Sequence, residues 1–360
     1  MNKYKVCVYA ISKNESKFVD RWYDSVKEAD EIYVLDTGSS DDTVSKLKSL
    51  GVNVFEEVIT PWRFDVARNR SLELVGDCDI CVCIDLDEII SSGWREQLEN
   101  IWSEGTTRLR YNYNWKLDSN HNPVVNFYIE KIHCRYGYRW THPVHEVLEY
   151  DGDEHFITTD LITVNHYPDD TKSRGSYLSL LELSVDEDPN DDRNMHYLGR
   201  EYMYYGYWDK SIETLKRHLD LKSATWKDER CASMRFIARC YKNLGDFDLS
   251  KVWLDKAMHE APYLRDPFVE RALLAYDLEE WHDVILYCLR ALDINSHTKS
   301  YINEVFSWDS TVYDLLSIGY YNIGIIDKAL CYVDKALEMD SSNERLLNNR
   351  YYFSNILNNK

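Results

Sequence analysis

The hydrophobic pattern changes its period near the middle of the chain, and this change constrains the fold most strongly. In the first half, short apolar runs rich in β-branched residues alternate with helical stretches at 16–28, 41–50 and 64–75. The runs are KVCVYAIS, EIYVLDT, VNVFEEV and DICVCIDLD. This alternation predicts an α/β domain with a mainly parallel, Rossmann-like sheet and crossover helices. Aromatic strand-like segments between residues 106 and 166 predict antiparallel additions to the sheet.

From residue 171 the pattern is helical and repeats. Four segments align on a large apolar residue, and the aligned positions are separated by 39, 34 and 45 residues: Trp208, Phe247, Trp281 and Ile326. The middle spacing is the tetratricopeptide period, and the other two require short loop insertions. Small residues would let paired helices approach closely, at Ala257, Ala291 and Ala336. We therefore predict an α/β domain over residues 1–170 and an all-α tetratricopeptide-like array over residues 171–360.

Charge and composition exclude several classes of function. The 42 Lys and Arg residues against 62 Asp and Glu give a net charge of −20, which argues against nucleic-acid binding and against a polybasic membrane anchor. No segment reaches the roughly 18 apolar residues of a membrane span. The N-terminal apolar run contains Tyr9 and stops at Ser12, so it predicts a first strand rather than a signal peptide. Nine cysteines predict a reducing, cytoplasmic location, and three of them fit small core positions: Cys78, Cys81 and Cys83.

The strongest chemical signal is Asp85-Leu86-Asp87-Glu88, directly after an apolar strand. Alternation points Asp85 and Asp87 to the same side of an extended chain. The carboxyl ends of strands are where open α/β sheets bind ligands. Paired carboxylates are suitable ligands for Mg²⁺ or Mn²⁺, which would neutralise charge on a nucleoside-diphosphate leaving group. A surface acidic turn is the alternative.

A second signal is VLDTGSSDDT at residues 34–43, again a strand end, a turn and a helix start. Gly38 permits the turn, and capping of the helix explains residues 39–42 without any function. Capping does not explain Asp36, an acid that ends an apolar strand at the ligand edge. Its carboxylate is placed to accept hydrogen bonds from a base or a ribose.

Four motifs together resemble a family 2 glycosyltransferase with the GT-A fold: AISKNES, VLDTGSSDDT, FDVARNR and IDLDE. The resemblance implies that Ile11 and Glu15 lie at the nucleotide base and that Asp36 holds uracil or ribose. It implies further that Arg68 contacts the base or the diphosphate. The forked guanidinium of an arginine is independently suited to phosphate recognition. In the same way, Asp85 would touch ribose or metal, and Asp87 would ligate the metal.

A downstream motif narrows the resemblance to a subgroup. The pattern W-x-x-x-x-H-E begins at Trp140, and a later strand ends in His166. This pattern, the strand that ends in His166 and the tetratricopeptide-like array after them together resemble a subgroup that includes bacterial peptide S-glycosyltransferases. The resemblance implies that His166 completes the metal shell, and a strand-end histidine hydrogen-bonded to the backbone is the alternative. Glu146 is the candidate base that takes the acceptor proton, His145 is its rival, and a structural salt-linked dyad is the alternative. Trp140 is interpreted either as a sugar-stacking platform or as a core aromatic.

These features predict an inverting glycosyltransferase that needs Mn²⁺ or Mg²⁺ and uses a UDP-sugar, with UDP-glucose and UDP-N-acetylglucosamine as the expected donors. The Q-x-x-R-W signature of processive synthases is absent from the sequence, so transfer of a single sugar is expected. The array is expected to hold a peptide or protein acceptor or to assemble a homodimer. Two alternatives stay open: a glycan or lipid-linked saccharide acceptor, and a scaffold whose transferase domain is inactive.

Overall fold

The computed structural model describes residues 3–118, 120–169 and 175–358. The chain divides into two compact units. The first contains Met1–Glu187 and Lys299–Tyr301, and the second contains Asp188–Thr298 and Ile302–Lys360. The predicted domain boundary after residue 170 falls on residues outside the described ranges and stays a prediction.

The first unit alternates strands and helices as the sequence predicts. Its strands are β1 (Val6–Ser12), β2 (Glu31–Asp36), β3 (Asn53–Glu56), β4 (Ile80–Cys83), β5 (Glu88–Ile90), β6 (Arg108–Leu117), β7 (Pro123–Cys134), β8 (Tyr138–Thr141), β9 (Val147–Tyr150) and β10 (Phe156–His166). Its helices are α1 (Val19–Val26), α2 (Thr43–Ser49), α3 (Phe64–Glu73), α4 (Trp94–Ile101) and α5 (Tyr177–Glu187).

Within the described residues, eight strands form one mixed sheet in the order β3-β2-β1-β4-β7-β6-β10-β5, and β8 pairs with β9 separately. Strands β1, β2, β3 and β4 pair in parallel. Strand β7 is antiparallel to both β4 and β6, and β10 is parallel to β6. The first four strands and β10 therefore point in the same direction. Residues at their carboxyl ends share one edge of the sheet, which confirms the predicted mainly parallel sheet with antiparallel additions.

The core of this unit forms because the central strands are apolar on both faces. One face packs against α1 and α4 through fully buried side chains, among them Trp22, Val82 and Trp94. The other face contains Cys81 and Cys83 together with aromatic residues of β8. All nine cysteines are free, and Cys78, Cys81 and Cys83 are buried, which confirms their interpretation as small core residues.

The second unit is a series of helical hairpins. Its helices are α6 (Asp192–Tyr204), α7 (Trp208–Asp220), α8 (Lys227–Asn243), α9 (Phe247–Glu260), α10 (Asp266–Asp277), α11 (Trp281–Leu292), α12 (Thr311–Asn322), α13 (Ile326–Met339) and α14 (Glu344–Asn358). The four aligned residues of the sequence repeat are the first residues of α7, α9, α11 and α13. The predicted tetratricopeptide-like repeat is thus confirmed as four helix pairs in the described part of the chain.

The turn inside each pair uses a left-handed residue two positions before the second helix. Gly206, Gly245 and Gly324 occupy it with φ of 75°, 81° and 83°. In the third pair the position is taken by Glu279, with φ of 58°. Left-handed backbone costs a residue with a Cβ roughly 1–2 kcal/mol, so three of these four turns use glycine.

Small residues let the paired helices pack closely. A Cβ at Gly199 would lie 2.5 Å from Leu215 of the partner helix. The hydroxyl of Ser211 donates to the carbonyl of Gly199 at 2.7 Å, and Ser250 donates to Ala238 at 2.9 Å in the next pair. These serines occupy the same repeat position, so these two pairs are joined by the same hydrogen bond. Among the described residues, no helix is both long and apolar enough to cross a membrane.

Candidate active site

A buried arginine joins two carboxylates at the carboxyl edge of the sheet. Arg68 donates from Nη1 and Nη2 to the two oxygens of Asp85, at 2.8 and 3.0 Å, and from Nε to Glu146. Its side chain is 7% exposed. Arg68 comes from α3 and Asp85 follows β4, whereas Glu146 lies just before β9. One guanidinium fork therefore connects three segments that are distant in sequence.

A second cation lies on the other side of Asp85. The Nζ of Lys131, on β7, is 2.9 Å from Asp85 Oδ2 and 2.9 Å from Glu88 Oε1. Glu88 also accepts from the hydroxyl of Tyr113 at 2.8 Å and from the backbone N–H of Asp85 at 2.9 Å. The buried charges thus form a connected network in which each group is paired.

The network separates the protonation behaviour of its two central acids. Burial alone would raise the pKa of Asp85, but the charges of Arg68 and Lys131 outweigh it and hold the pKa well below its usual range. For Glu88, burial and the neighbouring Asp85 raise the pKa despite the opposing charge of Lys131. Asp85 is therefore a fixed anion, whereas Glu88 binds a proton more readily than an ordinary glutamate.

Asp87 and His166 form a separate pair. Asp87 Oδ2 lies 3.4 Å from His166 Nε2. The other ring nitrogen, Nδ1, donates to the backbone carbonyl of Trp115 at 3.2 Å, which directs Nε2 toward the carboxylate. Burial lowers the pKa of His166, but the hydrogen bond and charge of Asp87 outweigh burial, so the pKa is raised. An oriented imidazole beside a carboxylate is a ligand pair that a divalent cation can join.

The structure therefore separates the predicted metal ligands. Asp87 and His166 are brought together, as the sequence analysis proposed. Asp85 instead directs both oxygens to Arg68 and Lys131. These residues fit a divalent ion held by Asp87 and His166, with coordination sites left for phosphate oxygens.

Trp115 is a candidate site residue that the sequence analysis did not identify. Its ring stacks on His166 with a centroid distance of 4.5 Å and an interplanar angle of 18°, and the side chain is 45% exposed. An exposed aromatic face beside a candidate metal ligand is a typical surface for a sugar ring or a base. The sequence signal was weak, because the same strand carries several aromatic residues in RLRYNYNWKL.

Lys131 and Tyr113 were also not indicated by the sequence, and Glu88 was named there only as part of the acidic motif. The available signal was a lysine inside the strand PVVNFYIEKIHC, since a cation that is largely removed from water requires an anionic partner. The partner could not be read from the sequence, because β7 pairs with β4 and β6 at the same time and its pairing with β6 includes register shifts.

Glu146 is positioned by α3 through two kinds of contact. Besides the bond from Arg68, Asn69 exchanges two hydrogen bonds with the backbone of Trp140, at 2.7 and 2.8 Å. The connecting loop contains His142 and His145 at positive φ, 75° and 52°. These contacts fix Glu146 with its side chain 11% exposed. The rival base His145 packs edge-on against Tyr177, with centroids 5.9 Å apart.

Trp140 lies in the core, the second of its two interpretations. It is 4% exposed, and its indole N–H donates to the hydroxyl of Tyr9 at 3.0 Å. That hydroxyl lies 2.8 Å from His133 Nε2, and His133 Nδ1 donates to the carbonyl of Cys134 at 2.8 Å. Because Nδ1 carries the proton, Nε2 accepts a hydrogen bond from the hydroxyl of Tyr9, and the imidazole is held neutral. In this conformation the ring of Trp140 is not available to stack on a sugar.

Asp36 is buried and its carboxylate has a local role. It accepts hydrogen bonds from the hydroxyls of Ser12 and Ser39, at 2.8 and 2.5 Å, and from the backbone N–H groups of Gly38 and Ser39, at 3.1 and 2.8 Å. The carboxylate therefore stabilises the turn after β2. Binding of a base or ribose by Asp36 stays a prediction.

The two residues predicted at the nucleotide base lie close to this turn. Ile11 is on β1 opposite Leu35 of β2. The backbone N–H of Glu15 donates to Thr43 Oγ1 at 2.8 Å, at the first residue of α2. Both positions belong to the same sheet edge as Asp36, and their roles stay predictions.

The first part of the chain is similar to a described family of proteins. Residues 7–145 match the model of glycosyl transferase family 2. The chain is 35% identical over 100 residues to an uncharacterized glycosyltransferase of Rickettsia bellii strain RML369-C. It is 37% identical over 100 residues to the uncharacterized glycosyltransferase RC0292 of Rickettsia conorii. Each match covers 28% of this chain, and 33% and 34% of the relatives, so the chain spans about a third of the length of the curated relatives it matches.

The helical half is similar to solved repeat proteins. The structure of YrrB, described as a TPR protein with an unusual peptide-binding site, aligns with a TM-score of 0.40 and 15% identity over 50% of this chain and 84% of that chain. The structure of MamA aligns with a TM-score of 0.37 and 18% identity over 46% and 86%.

Proposed function

We propose that this chain, which contains a glycosyl transferase family 2 domain over residues 7–145 followed by tetratricopeptide-like helix pairs, transfers one sugar from a UDP-sugar to a peptide or protein acceptor. The observation that carries the proposal is the pairing of Asp87 with His166 at 3.4 Å. Asp87 lies within the residues that match family 2, and Arg68 in the same range fixes Asp85 and Glu146.

The pair fits Mn²⁺ or Mg²⁺. Asp87 would supply a carboxylate oxygen, and His166 would supply Nε2, already oriented by its bond to Trp115. The ion would offset negative charge on the diphosphate as the bond to the sugar breaks. Imidazole favours Mn²⁺ over Mg²⁺ within this pair of metals.

The donor is proposed to lie along the sheet edge formed by the ends of β1, β2 and β4. Ile11, Glu15 and Asp36 would surround the base and ribose, and Asp85 would contact the ribose. Arg68 is tied to Asp85 and Glu146, so its direct contact with the donor would require an exchange of partners. Its proposed role is to position these two acids.

Glu146 is the proposed base. An acceptor hydroxyl, amide or thiol would attack the anomeric carbon from the side opposite the diphosphate, and the bond from that carbon to UDP would break. Glu146 would take the proton of the attacking group, and the configuration at the anomeric carbon would invert. His145, one residue earlier in the same loop, is the alternative base.

The helical array bears on the choice of acceptor. Tetratricopeptide-like pairs offer a repeated surface suited to an extended peptide, which favours a peptide or protein acceptor, and the array is also where a homodimer would form. A glycan or lipid-linked saccharide is the second candidate acceptor. A scaffold with an inactive transferase domain is the alternative of another class. The nine free cysteines support a reducing, cytoplasmic setting for each of these three functions.

Product analysis tests the proposal. The full chain is incubated with Mn²⁺ and either UDP-glucose or UDP-N-acetylglucosamine, and peptide and saccharide acceptor pools are examined by mass spectrometry. A peptide that gains one sugar supports the proposal, and a saccharide that gains one supports the second candidate. Absence of UDP release with every donor and acceptor, matched by an unchanged result for Glu146→Gln, contradicts catalysis and favours the scaffold.

A further inference from the structure

Three helix ends in the array bring metal-ligating side chains together, far in sequence from the proposed transferase site. Asp192 is in the first turn of α6, His218 in the last turn of α7, and Glu229 in the first turn of α8. One ligand atom from each lies within 4.8 Å of the others. His218 Nε2 is 3.4 Å from Glu229 Oε1. The three helices pack on one another, so the residues meet at a single end of the bundle.

His218 is aimed into this cluster and its Nε2 has no hydrogen-bond partner among the described residues. The side chain is 0% exposed. Leaving a buried imidazole nitrogen without a hydrogen-bond partner is unfavourable. The position therefore points to a ligand that occupies Nε2.

The other side of the ring is held by a shared serine. Ser233 Oγ lies 2.9 Å from His218 Nδ1 and 2.7 Å from His196 Nδ1. A hydroxyl has one proton, so with both rings neutral one imidazole donates its Nδ1–H to Ser233 and the other accepts. When His218 is the donor, its Nε2 presents a lone pair to the two carboxylates. Fixing Nδ1 in this way is how metal-binding histidines are oriented.

We propose that Asp192, His218 and Glu229 bind a divalent transition-metal ion that fastens α6, α7 and α8 together. Two ligands about 2.1 Å from a tetrahedral ion are about 3.4 Å apart, and His218 and Glu229 already have this separation. One imidazole and two carboxylates select Zn²⁺ or a similar ion over Mg²⁺ and Ca²⁺. Two carboxylates this close repel each other when desolvated, and a divalent cation removes that repulsion.

A proton is the competing occupant. Carboxylates at helix N-termini and an imidazolium at a helix C-terminus also complement the helix dipoles. An imidazolium would bridge the carboxylates without any metal. The two occupants differ in one measurable respect, since only the metal-bound form gives a cobalt absorption spectrum.

The test uses the full chain carrying Asp87→Ala, which removes a ligand of the proposed transferase metal. After removal of metal with a chelator, Co²⁺ is titrated while visible absorption and the melting temperature are recorded. We expect one Co²⁺ per chain, displaced by Zn²⁺, and a rise in melting temperature. His218→Gln should weaken binding at least tenfold and abolish the rise.

A matched control is His196→Gln, which changes an equally buried histidine bonded to the same serine and should still bind one Co²⁺. If His218→Gln does not fold, Glu229→Gln provides the same comparison. Absence of Co²⁺ binding by the Asp87→Ala chain overturns the proposal. Binding that survives both His218→Gln and Glu229→Gln overturns it equally.

Discussion

The guanidinium of Arg68 holds both carboxylate oxygens of Asp85, at 2.8 and 3.0 Å, and its Nε donates to Glu146. One side chain thereby sets the distance between an acid at the end of β4 and the candidate base in the loop before β9. Only arginine offers three donor nitrogens in one rigid plane. The network leaves Asp87 and His166 as the candidate metal ligands.

Removal of this guanidinium should destabilise the fold. In Arg68→Met the partly buried Asp85 and Glu146 lose their shared buried cation, and breaking a buried pair costs about 3–5 kcal/mol. Arg70→Met is the control, because Arg70 lies on the same helix but forms exposed pairs with Glu57 and Glu73, which contribute about 1 kcal/mol or less. Urea unfolding at pH 7 measures the free energy of unfolding of both variants. Equal losses of stability in the two variants would contradict the role of Arg68.

Replacing the proposed base should affect turnover and spare donor binding. In Glu146→Gln the amide cannot accept the acceptor proton, and general-base catalysis contributes about 10²–10⁴-fold. We expect kcat to fall by that factor while the Kd for UDP changes less than threefold. Glu149→Gln, on an exposed pair with Arg139, should retain full kcat. A normal kcat for Glu146→Gln together with a large loss in His145→Gln would identify His145 as the base.

Trp115 should contribute to binding through its exposed face. Loss of a stacking ring costs about 0.5–1.5 kcal/mol beyond the area it buries, so Trp115→Ala should weaken binding of the UDP-sugar or the acceptor about three- to tenfold. Trp115→Phe should recover most of this loss. Trp226, with a similar exposure of 43%, is the control for donor binding. The prediction fails if Trp115→Ala changes neither KM.

His133 should make the stability of the fold sensitive to acid. Burial lowers the pKa of His133 to about 3, whereas the unfolded chain titrates near 6.5. The contribution of neutral, buried His133 to the free energy of unfolding is therefore fully present above pH 6.5. It is lost as pH falls toward 3, because in this range the unfolded state binds one more proton than the folded state. The expected slope is about 1.4 kcal/mol per pH unit. Urea unfolding between pH 7 and pH 5 should give a smaller slope for His133→Asn, and identical slopes would refute the assignment.

The sheet and the repeat could be predicted because they follow from local periodicity. Strands β1 to β4 and the positions of Trp208 and Ile326 at helix starts depend on patterns within a few residues. The sharing of one sheet edge by Asp36, Asp85 and His166 follows from strand direction.

The buried network could not be predicted because its contacts join distant segments. Lys131 reaches Asp85 across an antiparallel pairing that no short motif specifies, and register shifts in β6 and β7 decide which side chains meet. The position of Trp140 could not be predicted for the same reason. Its hydrogen bond to Tyr9, which in turn contacts His133, places the ring in the core, and both partners are distant in sequence. The turn role of Asp36 depends on Ser12, a residue of the neighbouring strand.

We propose that Asp87 and His166 hold a metal that binds the UDP-sugar. Calorimetric titration of UDP into the full chain, with and without Mn²⁺, tests it most directly when repeated on Asp87→Ala and on the exposed control Asp24→Ala. We predict binding at least tenfold tighter with Mn²⁺ in the parent chain and in Asp24→Ala, and loss of that difference in Asp87→Ala. Equal UDP affinity with and without Mn²⁺ in the parent chain, or no binding at all, would contradict the claim.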